Sequence, residues 1–226
     1  MPSRRDSWKA RDGASGAQTA VGAHGFPWRT SVVERCRTRK NTDQIPEPGH
    51  RIPRIQSRMS EPEVWLRGPI AGVPPHLQPV AHGLLQCHEE IARVLAGMTP
   101  AQIWHEPANA ASIGFHVLHA IGSLDRLFTY ARGAALSDVQ RQRLAQESRP
   151  NTELTAGELL AAFDAAIERA LDQLRGTDQA TLTAPRHVGR ARLPSTVIGL
   201  LFHAAEHTQR HVAQALTTGR LMQDRA

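Results

Sequence analysis

Five of the chain's 12 histidines fall in two short stretches: His116 and His119 in one, His203, His207 and His211 in the other. A neutral imidazole nitrogen is a common ligand for divalent metals. In a helix, residues four apart lie on one face, one turn above each other. Two such imidazoles can therefore reach a single ion at about 2.0–2.1 Å from each nitrogen. Three successive rungs cannot share one ion, because their ends lie about 12 Å apart at about 1.5 Å per residue. At about 100° per residue, His207 and His211 flank the apolar stripe of the last helical segment and His203 turns furthest from it, which selects the pair His207 and His211. A third ligand has to come from the earlier stretch. There the same wheel places His116 nearer the apolar stripe than His119. The plainer alternative is that these are surface or hydrogen-bonded histidines, since a pair spaced by four arises by chance in a histidine-rich chain.

Other arrangements carry less chemistry. His203-Ala-Ala-Glu206-His207 has the H-x-x-E-H spacing of one class of zinc peptidase. Such a site needs a further acidic ligand, and Asp224 is the one acid that follows. Cys87 and His88 are adjacent, which puts them on different faces of a helix and argues against a nucleophile pair; Cys87 reads as a small buried apolar residue. Arg126 and Tyr130 are four apart and could border a pocket, or simply form a solvated face. There is no glycine-rich phosphate loop.

Four amphipathic helical segments can position the histidines. The first covers about Leu77 to Met98, with Leu77, Val80, Leu84, Ile91, Val94 and Met98 at helical spacing and a stop at Gly97 and Thr99-Pro100. A second, about Ala111 to Arg132, has the stripe Ile113, Val117, Ala120, Leu124 and Phe128, ending at Gly133. A short helix is expected from Ser137 to Gln146. The third long helix opens on Thr155-Ala-Gly-Glu158, a capping box, and closes at Gly176. The last is expected from Pro194, near its first turn, to about Leu221, with the stripe Val197, Leu201, Ala204, Thr208, Val212 and Ala215. No segment alternates clearly with period two; Thr181-Leu-Thr and Val188 suggest at most a short extended link. Helices of this length bury a common core most economically as a four-helix bundle, so the fold class expected is all-α.

The net charge of +6 is unevenly distributed. Residues 1–58 hold 12 of the 27 Lys and Arg but 5 of the 21 Asp and Glu, which leaves −1 for the remainder. The basic character therefore gives no reason to expect nucleic-acid binding by the folded part. Residues 1–58 lack apolar periodicity and are rich in Arg, Ser, Thr, Gly and Pro. They read as a disordered basic extension before a domain covering 59–226; Met59-Ser-Glu-Pro-Glu reads as the natural start of the protein, which makes residues 1–58 a mis-assigned start, and the rival is a basic tail that touches anionic partners. Two cysteines, Cys36 and Cys87, make no disulfide framework and suit a reducing cytoplasm. No apolar run is long enough to span a membrane, and Arg4-Arg5 lacks the apolar region that a twin-arginine signal requires.

Two stretches also carry a family resemblance. Ser112-Ile-Gly-Phe-His-Val-Leu-His-Ala-Ile-Gly-Ser-Leu-Asp-Arg126 and Leu201-Phe-His-Ala-Ala-Glu-His-Thr-Gln-Arg-His-Val-Ala-Gln214 together resemble the DinB-like (damage-inducible) superfamily, over about Leu77 to Met222. Trp104 and the proline-containing turn after it fit the same resemblance. It implies a metal-binding bundle with an up-up-down-down-like course, commonly a homodimer. It also implies a triad made of His119, which precedes Ala-Ile-Gly, with His207 and His211. On the second helix this differs from the wheel, and the motif is preferred because a bundle helix faces two neighbours and its inward arc is broad. The family often ends its last motif in His-x-Gly-Gln, whereas this chain has His211-Val-Ala-Gln214. The implied cofactor is one divalent ion, Zn, Ni or Fe. The implied activity is that of a metal-dependent S-transferase or hydrolase acting on a small-molecule thiol or electrophile. The rival is a non-catalytic, metal-stabilised binding or stress-response bundle; an open coordination position favours the enzyme, and a site closed by His116 or His203 favours the rival.

Overall fold

The computed structural model describes residues 61–147 and 152–223. The extension expected over residues 1–58, the start at Met59 and Asp224 lie outside the described residues. Among the described residues six α-helices occur in the order α1 (Gln78–Leu95), α2 (Pro100–Ile103), α3 (Ile113–Ala131), α4 (Asp138–Gln146), α5 (Ala156–Arg175) and α6 (Val197–Gln223). A two-stranded antiparallel hairpin, β1 (Pro185–Val188) and β2 (Leu193–Thr196), lies between α5 and α6.

The four long helices close a ring: α1 packs on α6 and α5, and α3 packs on the same two, most extensively on α6. α3 and α6 bury the stripes read from their sequence, and the first helical stripe is buried from Leu77 to Ile91 while Val94 and Met98 are partly exposed. Leu84, Ile91, Leu95, Ile113, Leu124, Leu159, Phe163, Leu174 and Leu201 are almost wholly excluded from solvent, in one continuous core. Removing such apolar surface from water is the main source of stability for a bundle.

Side-chain caps set most helix starts. The Thr155 hydroxyl accepts from the Glu158 amide, and the Glu158 carboxylate accepts from the Thr155 amide, which forms the expected capping box. The same device opens α2 (Thr99 and Gln102) and α4 (Ser137 and Gln140). Ser112 caps α3 by accepting from the Phe115 amide. The entry of α3 is also fixed by Trp104, whose indole N–H donates to the Leu154 carbonyl at 3.0 Å. The face of that indole covers Gly114 so closely that an added Cβ would lie 2.6 Å from the ring, which is one reason glycine stands there. α1 is held at its start by Gln78, whose amide bonds both the N–H and the carbonyl of Ile70 and the carbonyl of Val73.

Pro194 does not begin the last helix. It sits in β2 opposite His187, and α6 starts three residues later at Val197. The first amides of α6 find partners outside the helix. Those of Val197 and Ile198 donate to the carbonyls of Ala184 and Leu182, and that of Gly199 donates to the Thr196 hydroxyl. Once the segment before β1 and the end of β2 supply those acceptors, a proline helix start is superfluous. The hairpin turns at Gly189, whose φ of +67° suits a residue without a Cβ. Of the segments expected to be extended, Val188 is in β1, while Thr181 ends a 3₁₀ turn (Gln179–Thr181).

Candidate metal centre

Because α3 and α6 lie against each other along much of their length, the two histidine stretches meet. His119, His207 and His211 each offer a ring nitrogen, and these three atoms lie within 4.8 Å of one another. His119 Nε2 is 3.1 Å from His207 Nε2. The ring centres of His119 and His211 are 4.4 Å apart, and those of His207 and His211 are 4.6 Å apart. A tetrahedral ion with bonds of about 2.0–2.1 Å needs nitrogens about 3.3 Å apart. Small side-chain adjustments would bring the three rings to that spacing, so the donor set fits a divalent ion. Imidazole nitrogens suit Zn, Ni and Fe alike.

His116 and His203 fall outside this cluster. The His116 ring is buried and its Nδ1 lies 3.0 Å from His211 Nδ1. It stands behind His211 and leaves Nε2 as the free nitrogen of that ring. The helical wheel, which leans to His116 as the third ligand, thus marks a buried residue outside the cluster. Burial and proximity to the three rings proved to be separate properties, because His119 reaches the cluster from the edge of the stripe. His203 lies further out, with its side chain 51% exposed and its Nδ1 3.3 Å from the Glu206 carboxylate. Glu206, the acid of the H-x-x-E-H spacing, also pairs with Arg210 on the outer face of α6.

The surroundings favour the neutral form of His207, His211 and the neighbouring His116. Burial, then the neighbouring His119, His207, His116 and Arg210, push His211 down to about 4. Burial and the adjacent cationic groups lower His207 as well, and burial and His119 lower His116. Neutral imidazole is the ligating form.

Glu147, just past the end of α4, carried no signal in the sequence. Its Oε2 accepts from His119 Nδ1 at 2.9 Å, and its two oxygens also meet the Arg126 guanidinium. Burial raises the Glu147 carboxyl, but the hydrogen bonds from His119 and Arg126 and the charge of Arg126 outweigh it and leave a net lowering. The Phe115 ring stacks on His119 at 5.7 Å between centres and 14° between planes. On the far side of Glu147 a cavity of about 530 Å³ opens between α3, α4 and α5, lined in part by Leu118, Ile121, Arg126, Arg143 and Arg169.

Comparison with known proteins places this arrangement. A solved structure, described as the crystal structure of a conserved protein of locus from Enterococcus faecalis, is similar to the chain with a TM-score of 0.50 and 19% identity. The likeness covers 64% of this chain and 95% of that one, and at this identity it concerns the fold alone. No curated protein matches the chain. The family model of the DinB superfamily matches residues 83–215, which is more than half of the sequence and includes both histidine stretches. The chain, with a histidine cluster that could hold a metal ion, belongs to the DinB superfamily.

Proposed function

We propose that this protein is a metal-dependent S-transferase or hydrolase in which His119, His207 and His211 hold one divalent ion, Zn, Ni or Fe. The observation that carries the reading is the composition of the cluster. Among the described residues it groups three imidazoles and no further His, Cys, Asp or Glu. Three protein ligands leave a coordination position open, as catalytic sites require and closed structural sites do not. A bound divalent ion would supply Lewis acidity there, lowering the pKa of a thiol or a water in that position.

The chain's own residues do the rest. Burial favours the neutral form of His207 and His211, and His116 holds the far nitrogen of His211. The 530 Å³ cavity has the size of a small-molecule site. Its apolar wall at Leu118 and Ile121 and its guanidinium groups at Arg143 and Arg169 suit an electrophile or thiol that carries a carboxylate. The same reading makes the protein a cytoplasmic homodimer with a small-molecule partner, not a nucleic-acid or membrane protein. No described helix is long and apolar enough to cross a membrane, and Phe202 on α6, 61% exposed, gives a second copy an apolar contact.

Elemental analysis of the purified protein should find one divalent ion per chain. A screen pairing thiols with electrophiles, together with a parallel screen of hydrolysable esters, should find a turnover that chelation stops and the same metal restores. A protein that takes up no stoichiometric metal, or a turnover that survives His207→Ala, would overturn the reading. Sedimentation equilibrium at micromolar concentration should give the dimer mass; monomer alone would remove that part.

A further inference from the structure

We propose that Glu147 is a positioning residue for His119, fixing which nitrogen of that ring carries the proton and so which one faces His207 and His211. For its effect on metal binding, the proposal rests on the metal reading above. The tautomer itself can be tested without metal.

Three residues of α3 build the arrangement. His119, Gly122 and Arg126 are spaced by three and four, so they line one face over two turns. Glu147 comes across from the end of α4 and lies along that face, with its side chain 14% exposed and that of Arg126 12% exposed. Arg126 binds the carboxylate through both of its terminal nitrogens, to Oε1 and, at 3.3 Å, to Oε2. Oε2 also faces His119 Nδ1 at 2.9 Å. Gly122 provides the space between them. A Cβ at this position would stand 2.4 Å from Glu147 Oε1 and 2.9 Å from Arg126 Nη1, too close for either to stay.

A carboxylate paired with a guanidinium only accepts hydrogen bonds. Nδ1 of His119 must therefore be the donor, and in the neutral ring Nε2 then keeps its lone pair. That nitrogen is the one 3.1 Å from His207 Nε2. In water, neutral imidazole side chains prefer the opposite form, with the proton on Nε2, so the arrangement imposes a tautomer that the ring would not choose alone. α4 has no buried residue of its own. It is held to α3 by polar contacts, Glu147 at one end and Gln140 at the other, where the amide of Gln140 donates to Asp125 and Thr129. The buttress thus depends on α4 docking, and α4 depends partly on the buttress.

The test combines ¹⁵N spectra of the histidine rings in the metal-free protein at pH 8 with zinc titrations against a chelator. Wild type should show His119 protonated at Nδ1. Glu147→Ala and Gly122→Ala should each shift the ring towards the Nε2-protonated form and weaken zinc binding by about 10–100-fold, the usual effect of losing such a partner. The double variant should be no weaker than Glu147→Ala alone, because Gly122→Ala acts by displacing the same carboxylate. Glu147→Gln, which keeps an accepting oxygen, should retain most of the Nδ1-protonated form. An Nε2-protonated His119 in wild type, or Glu147→Ala with unchanged tautomer and unchanged zinc affinity, would overturn the proposal. Wild type that binds no zinc but shows the Nδ1 proton would overturn the metal reading and leave the role of Glu147 in the ring intact.

Discussion

The bundle is made of two unlike helix pairs. α1 and α5 bury only apolar side chains: Val80, Ala81, Leu84, Cys87, Ile91 and Leu95 from one, and Leu159, Phe163, Ala166, Ile167, Ala170, Leu171 and Leu174 from the other. α3 and α6 bury apolar residues too, but also His116, Ser123, Thr129, Thr208 and Thr218, and they carry the histidine cluster. Burying polar groups has a cost that only well-placed partners offset. The hydroxyls of Thr129 and Thr208 meet it by donating to carbonyls one turn back, on Asp125 and Ala204. The imidazoles meet it through one another and Glu147. Both pairs therefore contribute apolar burial, but only α3 and α6 combine it with buried groups that chemistry can use.

The division can be broken at its strongest point first. Phe163→Ala should lower the unfolding free energy by about 3–5 kcal/mol in urea titrations. Below its melt the variant should still bind zinc with wild-type stoichiometry. A folded variant that has lost the metal would show that the two pairs are not separable.

His211→Ala acts on the other pair. With free zinc at 100 times Kd, wild type should gain about 2.7 kcal/mol of stability by mass action. His119→Ala, His207→Ala and His211→Ala should each lose that gain, while their metal-free melts differ less. His203→Ala should keep it in full, and His116→Ala should keep the stoichiometry with weaker affinity, since His116 stands behind a ligand. Melts with and without a chelator decide this. Loss of metal in the His116 variant with retention in the His119 variant would reverse the assignment.

Cys87 sharpens the apolar side. Burial, and after it the nearby Glu90, pushes its thiol far above the ordinary value of about 8.5. The native thiol should thus stay protonated at pH 9, where a free one ionises. In a Cys36→Ser background, iodoacetamide should leave Cys87 unmodified at pH 9 and modify it rapidly in urea. Modification without denaturant would mean that α1 is not closed there.

The smallest effect belongs to neither pair. Arg67 clamps Glu89 at the surface through both carboxylate oxygens. The hydrogen bond from Arg67, opposed by partial burial, holds the Glu89 carboxyl below its usual range. A lowered folded-state value stabilises above the unfolded pKa, about 4.3, and that contribution is lost as pH falls through the folded value. Arg67→Ala should barely move the melt at pH 7, and the difference should vanish in acid and in high salt. A large shift would mark the segment before α1 as part of the core.

Much of the fold was legible because period and capping are local. Most of the apolar residues read as stripes on α1, α3 and α6 are buried, Thr155 and Glu158 cap α5, and the short helix after Ser137 is present. The start of α6 is not legible at Pro194, because a proline suits both a helix's first turn and an edge strand. The pairing with His187 that decides between them involves a different segment.

The sequence by itself determined that His207 and His211 share a helix face, since helical geometry holds whatever surrounds the helix. It also marked two stretches, one on α3 and one on α6, from which a centre could be assembled. The family resemblance preferred His119 to His116, but helical period did not; the tertiary structure gives the reason, since the rotation of α3 towards α6 puts His119 in the cluster and His116 behind it. Only the tertiary structure brought Glu147 to a ring 28 positions away along the chain. Such contacts depend on packing angles and on the docking of a helix with no apolar face, and neither leaves a period in the sequence.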